Sequence, residues 1–472
     1  MDKELLQKID LCIDACRSEL AKTTIELVNI RSVQGEPLPG APFGKGPRRM
    51  LDKTLEMGRD AGFYPVDYNV GVVSIALKDS APDVGIWIHG DVVPEGIGWN
   101  FEPYNAVEYK GCIIGRGATD NKGQMAAIYH LLRIFKELDI ELKYNPALYV
   151  GSNEETGMRD LNGVPGNEDA RGFLNVCEAP KLSLVPDSSF PVGYGGKGSV
   201  KALLRSRTPL EGFVLTAGQD EAPARATAVF PPQENFPQEL PGAVITKDSE
   251  GNITVTCDTA QVHGNSSKSG GNAVVKMCEA LKSIGTLSEN DLKIIEAFKL
   301  IAEDTTGACL NVAGAEDNIM GPMSTLTRRI DWKDGYPEIQ TIVYYPTGIE
   351  YDWIVENMTA AAADLGLEVT GIPYTKKPYL LDPESETAEM LHRVANEVTG
   401  EDKPMYIVKG GTYAHFLPNA YAFGMDGSLP PEDFAEGRGG AHGVDEAVSL
   451  DRLQRAMRIY ARVLLELNEM CI

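Results

Sequence analysis

A surplus of basic charge is missing from this chain. Its 472 residues hold 44 lysines and arginines against 68 aspartates and glutamates, for a formal net charge of -24. Nucleic acid and anionic membranes are recognised by basic faces, so neither is expected as a partner. Most of the acidic excess reads as solvated surface, although an acidic cleft would also draw in cations. Long apolar runs are missing as well, and none approaches the ~20 residues of a membrane span. The opening MDKELLQKID has no apolar stretch of the signal-peptide kind. The eight cysteines (12, 16, 112, 177, 257, 278, 309 and 471) are scattered without a CxxC or a regular framework. That distribution fits reduced thiols and a cytoplasmic location. Short internal repeats and low-complexity tracts are also lacking.

What is present is an alternation of elements. Residues 3–30 carry apolar positions at helical spacing, and GEPLPGAPFGKGP (35–47) is a Gly/Pro loop before helical periodicity resumes. The runs GVVSIAL, VGIWIHG, PALYVGS and KLSLVPD have the short apolar character of buried strands. The stretch NKGQMAAIYHLLRIFKELDI lies between the second and third and reads as an amphipathic helix. This texture predicts an α/β fold with a mostly parallel sheet covered by helices. After GYGGKG (193–198) the strands become alternating and more exposed, with helices around 273–284, 289–302 and 351–365, as in an α+β domain. The first texture returns after 376–383, with a helix at 384–399 and a terminal helix at 446–469. The expected organisation is a discontinuous domain of residues 1–195 and 375–472, interrupted by an inserted domain, 196–374.

Five residues type as metal ligands: His89 in IHGDVVP, Asp120 in GRGATDNKG, Glu155 in GSNEETG, Asp187 in LVPDSS and His442 in AHGVDE. His89, Glu155 and Asp187 fall at the carboxyl ends of strands, where sites in open α/β sheets gather. Asp120 precedes a helix start, whose unpaired N–H groups favour an anion. Taken singly, each is more often a turn residue, a helix cap or a surface histidine; the joint arrangement carries the inference. Two histidines and three carboxylates can hold two divalent ions if one carboxylate bridges, and a set without thiolate suits zinc first, then manganese or cobalt. A water bridged between the ions becomes a nucleophile near neutral pH. Asp91 stands two residues from His89, placed to orient its imidazole. Glu154 and Glu155, if extended, point apart, so one ligates while the other serves as general base.

At these residues the chain resembles the co-catalytic metallopeptidase family of ArgE/DapE deacylases, aminoacylase, carboxypeptidase G, carnosinase and PepV-like dipeptidases. HGDVVPEGIGW, GRGATDNKG, EETG, PDSSFPVGYGGKG and GGTYAHFLP look closest to the PepV-like branch. The resemblance implies one ion on His89, Asp120 and Asp187 and a second on Asp120, Glu155 and His442. Asp120 would bridge, Glu154 would be the general base, and the Asp120–Asn121 peptide would be cis. The inserted domain would be a lid, long enough to be in keeping with a monomer. His263 in QVHGNSSKSGGNA matches the lid histidine that polarises the scissile carbonyl, with Gly270 and Asn272 at the family offsets but Ser267 where proline is common.

There are departures. Tyr344 in TIVYYP stands where an arginine usually grips the substrate carboxylate, and Asp220 where the family has a lid asparagine. Ala414 and His415 replace a Gly-Arg pair, and Asn121 replaces an aspartate. Without that guanidinium clamp, Lys409, Arg328, Arg329 or the N–H groups of Gly410, Gly411 and Thr412 are left to hold a carboxylate. The expected function is metal-dependent hydrolysis of dipeptides or short peptides. N-acyl amino acid deacylation is the alternative, and a non-catalytic metal- or peptide-binding relative stands further off.

Overall fold

The computed structural model describes residues 3–163, 172–218, 223–259, 272–314, 316–317, 319–408, 410–425 and 429–470. The chain divides into two compact units, one of Met1–Gly195 with Leu380–Ile472 and the other of Gly196–Tyr379. Among the described residues, no helix is long and apolar enough to cross a membrane.

The first unit is built on a nine-stranded mixed sheet. Its centre is four parallel strands in the spatial order Pro146–Gly151, Val84–His89, Leu182–Val185 and Ala420–Ala422. The flanks are antiparallel: Tyr64–Asp67 pairs with Val72–Ala76, which pairs with Pro146–Gly151, and Gly193–Gly196 pairs with Ala420–Ala422. Three of the four parallel strands end at candidate ligands, and the fourth is Ala420–Ala422. The Tyr64–Asp67 and Val72–Ala76 strands are joined by a four-residue turn, a connection too short for anything but a hairpin.

Strand alternation splits the side chains between two faces. Ile86, Ile88, Leu148, Val150 and Leu184 join a core with the helices Arg17–Val28, Lys45–Asp60, Gly123–Glu137, Glu386–Thr399 and Leu450–Leu467. On the last helix Leu453, Met457, Tyr460, Leu464 and Leu467 repeat every three or four residues and are all fully buried. That helix starts later than its periodicity alone suggests. Ala447–Ser449 is a strand, and the Ser449 hydroxyl accepts from Arg452 N as the N-cap. The N-terminal helical stretch is two helices, Lys3–Ala15 and Arg17–Val28, parted at Cys16, whose thiol turns back to the Ile13 carbonyl.

The other face carries aromatics. Trp87 stacks on Tyr149 with ring centroids 4.1 Å apart, and Phe173 meets both edge-on. These two stacked residues face each other across the parallel register, each two residues before the end of its strand at His89 or Gly151. A separate three-stranded sheet pairs Ala447–Ser449 with Cys112–Ile114, and that strand with Val107–Tyr109. It sets the chain just after His442 beside the chain just before Asp120.

The second unit is an eight-stranded sheet whose described pairings are all antiparallel, with Tyr336–Tyr345 and Gly198–Ser206 among its inner strands. The helices Ala273–Lys282, Glu289–Glu303 and Tyr351–Asp364 share its core. Ser288 and Asp291 close the Glu289–Glu303 helix with a reciprocal capping box.

Trp87 is fully buried under the site-bearing strand ends. Trp87→Ala is expected to lower the free energy of unfolding by about 3–5 kcal/mol. Urea denaturation of the two proteins checks this, and a loss under ~1 kcal/mol would show that the aromatic layer is not part of the core.

Candidate metal centre

Because three of the ligand-bearing strands are parallel neighbours, their carboxyl ends lie on one edge of the sheet. His89 ends its strand, the Asn153–Glu155 turn follows Pro146–Gly151, and Asp187 follows Leu182–Val185. Asp120 comes from a wide turn, Ala118–Lys122, with non-helical backbone at Asp120 and Asn121 and a cis peptide between them. His442 comes from a Gly-rich loop, in left-handed conformation at φ 62°.

The five side chains meet around Asp120. Its Oδ1 lies 2.8 Å from His89 Nε2 and its Oδ2 lies 3.1 Å from His442 Nε2. Asp187 Oδ2 is 4.0 Å from His89 Nε2, and Glu155 Oε1 is 3.1 Å from His442 Nε2. Two groups result, His89–Asp120–Asp187 and Asp120–Glu155–His442, each with ligand atoms within 4.8 Å of one another. Bonds of about 2.0–2.1 Å to a tetrahedral ion place ligand atoms roughly 3.3 Å apart. Both groups are already near that spacing, with nitrogen and oxygen donors of the right kind, so the residues present fit two divalent ions sharing Asp120.

Asp91 meets His89 chiefly through its main chain. His89 Nδ1 is 3.0 Å from the backbone carbonyl of Asp91 and 3.7 Å from its carboxylate. Donation from Nδ1–H to that carbonyl leaves the Nε2 lone pair directed at the centre. The carboxylate instead accepts from the backbone N–H groups of Glu154 and Glu155, each at 3.1 Å. Asp91 is buried, and it fixes the Glu154–Glu155 turn through the main chain.

A second buried carboxylate, Asp160, had no sequence signal. Its Oδ2 accepts from Ser152 N at 2.8 Å, from Asn153 N at 3.1 Å and from the Tyr413 hydroxyl. A Cβ at Gly151 would overlap both the Tyr413 hydroxyl and the Asp160 carboxylate, so this strand end accepts only glycine. Two more partners, Arg116 and Glu446, sit inside the quoted motifs GRGATD and HGVDE. Their pairing over 330 residues of chain is invisible to local pattern.

The remaining sequence candidates are distributed as follows. Gly410, Gly411 and Thr412 belong to the same unit, just before the short turn Tyr413–His415. The Thr412 N–H is engaged by His415 Nδ1 at 3.4 Å. Tyr344 is half-buried in the second unit, opposite Ser324 and Ser199. His263, Asp220 and Lys409 lie outside the described residues.

The electrostatics are those of crowded acid. Burial, then the charge of Asp120, pushes the Asp187 carboxyl up to about 7. Burial pushes Asp91 up to about 7 as well. Burial and the Asp187 charge lift Glu154 well above the usual carboxylate range. For Asp120 burial acts the same way, but contacts with His442 and His89 outweigh it and hold the group well below that range. For His89 burial acts downward, and Asp120 outweighs it to raise the imidazole well above its ordinary value. Divalent cations at this point would relieve the repulsion.

A match to the model of peptidase family M20/M25/M40 extends over residues 85–466, and so includes all five candidate ligands. The chain belongs to that family. It is accordingly a metallopeptidase. It is 26% identical over 475 residues to the Bacillus subtilis protein named "Putative dipeptidase YtjP", covering 96% of this chain and 97% of that one. In fold it is similar to human carnosine dipeptidase 1, with a TM-score of 0.59, 15% identity and coverage of 98% and 100%. It is also similar to the di-peptidase Dug1p of Saccharomyces cerevisiae, with a TM-score of 0.59, 13% identity and coverage of 99% of each chain.

The crowding has a pH consequence. A carboxyl raised from 3.8 to about 7 on folding, as at Asp187 and Asp91, contributes stability that is complete below the unfolded value and lost as pH rises through the folded one. The raised Glu154 and His89 act in the same sense. Chelated protein should therefore melt at progressively lower temperature from pH 5 to pH 8, and Asp187→Asn should flatten that slope. Equal slopes for the two proteins in a thermal-melt series would contradict the charge-crowding account.

Proposed function

We propose that this metallopeptidase cleaves the amide bond of dipeptides or other short peptides at a two-metal centre. One ion would sit on His89, Asp120 and Asp187 and the other on Asp120, Glu155 and His442. The observation that carries this is the pair of ligand groups sharing the two oxygens of one carboxylate. When bound, the ions supply Lewis acidity, which makes a shared water nucleophilic and stabilises charge growing on a carbonyl oxygen. The donor set contains no thiolate and favours zinc, with manganese or cobalt as alternatives.

Glu154 is in neither ligand group, yet its carboxyl is held among them by the Asp91 grip on its backbone. It accepts the proton of the attacking water and returns it to the leaving amine. The environment that raises its proton affinity suits that exchange, since a base tuned upward towards neutrality both takes and gives a proton at working pH. Asp91 acts as a positioning residue for His89 and Glu154 together. To the inserted unit we assign substrate selection, with His263, Tyr344 and Asp220 as its candidate residues. Dipeptides are favoured over N-acyl amino acids because the full-length relative YtjP bears a dipeptidase name.

Glu154→Ala is expected to take up as much metal as the wild type while turnover falls about 10²–10⁴-fold. Near-normal turnover in that variant would remove Glu154 from the role of base. Chelation should abolish activity and zinc, manganese or cobalt should restore it. A panel of free dipeptides against N-acetyl and N-succinyl amino acids, assayed with each metal, should show hydrolysis of the dipeptides. Preference for the acylated compounds would replace dipeptidase by deacylase.

A further inference from the structure

Arg116 and Glu446 form a buried ion pair, with side chains 2% and 1% exposed and Arg116 Nη1 donating to Glu446 Oε2 at 2.6 Å. Neither residue belongs to the two ligand groups. Their other bonds go to the two loops that supply the shared ligand and the last histidine. Glu446 Oε2 also accepts from Gly117 N at 3.1 Å, and Oε1 accepts from Thr119 N and Asp120 N, each at 3.0 Å. Arg116 Nη2 donates to the His442 carbonyl at 3.1 Å and to the Glu95 carbonyl at 3.4 Å. The small three-stranded sheet brings the two segments into register, with Gly115 N donating to Glu446 O at 2.8 Å.

We infer that Arg116 and Glu446 are positioning residues for the metal pair, a brace that sets Asp120 and His442 against each other before any ion arrives. The inference rests on the two-metal reading above. Stability alone does not account for the pair. A buried ion pair gives little net stability over well-packed apolar groups of the same volume. What apolar groups cannot do is accept from three amides of the Asp120 loop and donate to the carbonyl of a ligand histidine. Because Asp120 belongs to both ligand groups, a shift of its backbone disturbs both ions. Partners of this kind, one bond removed from the ion, set ligand orientation and affinity.

The pair is tested with cobalt as the probe, on full-length protein stripped by chelation. Glu446→Gln keeps the size of the side chain but turns half of its acceptor surface into a donor facing Gly117 N or Arg116. Calorimetric titration should show cobalt affinity reduced about 10- to 100-fold. At saturating cobalt the visible absorption spectrum should differ from wild type, and kcat for a dipeptide should fall while KM is unchanged. Those last two readouts report on folded, loaded protein and are not moved by a loss of stability alone. Arg116→Lys keeps the charge but not the fork that reaches both Glu446 and the His442 carbonyl, and should show the same changes to a smaller degree. It carries the test if Glu446→Gln does not fold. Wild-type affinity, spectrum and kcat in a folded variant would overturn the brace. Wild-type protein that takes up no cobalt would instead sink the two-metal reading, and the brace with it.

Discussion

Everything in the first unit turns on one carboxylate placed between two imidazoles. Asp120 offers one oxygen to His89 and the other to His442, so a single side chain joins the two halves of the centre. The cost of that arrangement is the company it keeps. Asp91, Glu154, Glu155 and Asp187 stand around it, and ionised carboxylates at such range repel strongly when shielded from water. A flexible framework would relax by swinging the acids apart. This framework instead holds three of the ligand-bearing segments on adjacent parallel strands and leaves the repulsion to be relieved by cations.

The rigidity has a common device. At the loops that carry Glu155 and Asp120, buried carboxylates outside the ligand groups accept hydrogen bonds from backbone amides. Asp91 takes the N–H groups of Glu154 and Glu155. Asp160 takes those of Ser152 and Asn153. Glu446 takes those of Gly117, Thr119 and Asp120. Asp445, next to it, takes those of Asn100 and Phe101 and pairs with Arg438. A charged acceptor on an amide is stronger than a neutral one, and holding the main chain leaves the ligand side chain free to face the ion. The acidity of this chain, bland as a bulk property, therefore has a second use in the interior.

Three of the candidate ligands, His89, Glu155 and Asp187, were legible in the sequence because they stand at the end of an apolar run, where strand chemistry and site chemistry coincide. The mixed α/β class was legible for the same reason. The braces were not, since each depends on a partner brought near only by the fold: Arg116 needs Glu446, and Asp160 needs Tyr413 from 253 residues away. Asp91 was visible as a residue placed to orient His89, but the atom that does so was not. A side chain two positions from a histidine looks placed to touch its ring, whereas the backbone carbonyl occupies that position here. The antiparallel flanks of the sheet were hidden because apolar runs do not reveal strand direction. Thr412 shows the opposite hazard, a plausible free amide that a neighbouring imidazole already uses.

The central claim is that Asp120 is shared by two ions. Anomalous diffraction from crystals grown with zinc or manganese tests it most directly. Two peaks are expected, one within bonding distance of His89, Asp120 and Asp187 and the other of Asp120, Glu155 and His442, with a different Asp120 oxygen on each. A single peak at full occupancy, or a second peak that does not touch Asp120, would contradict the account.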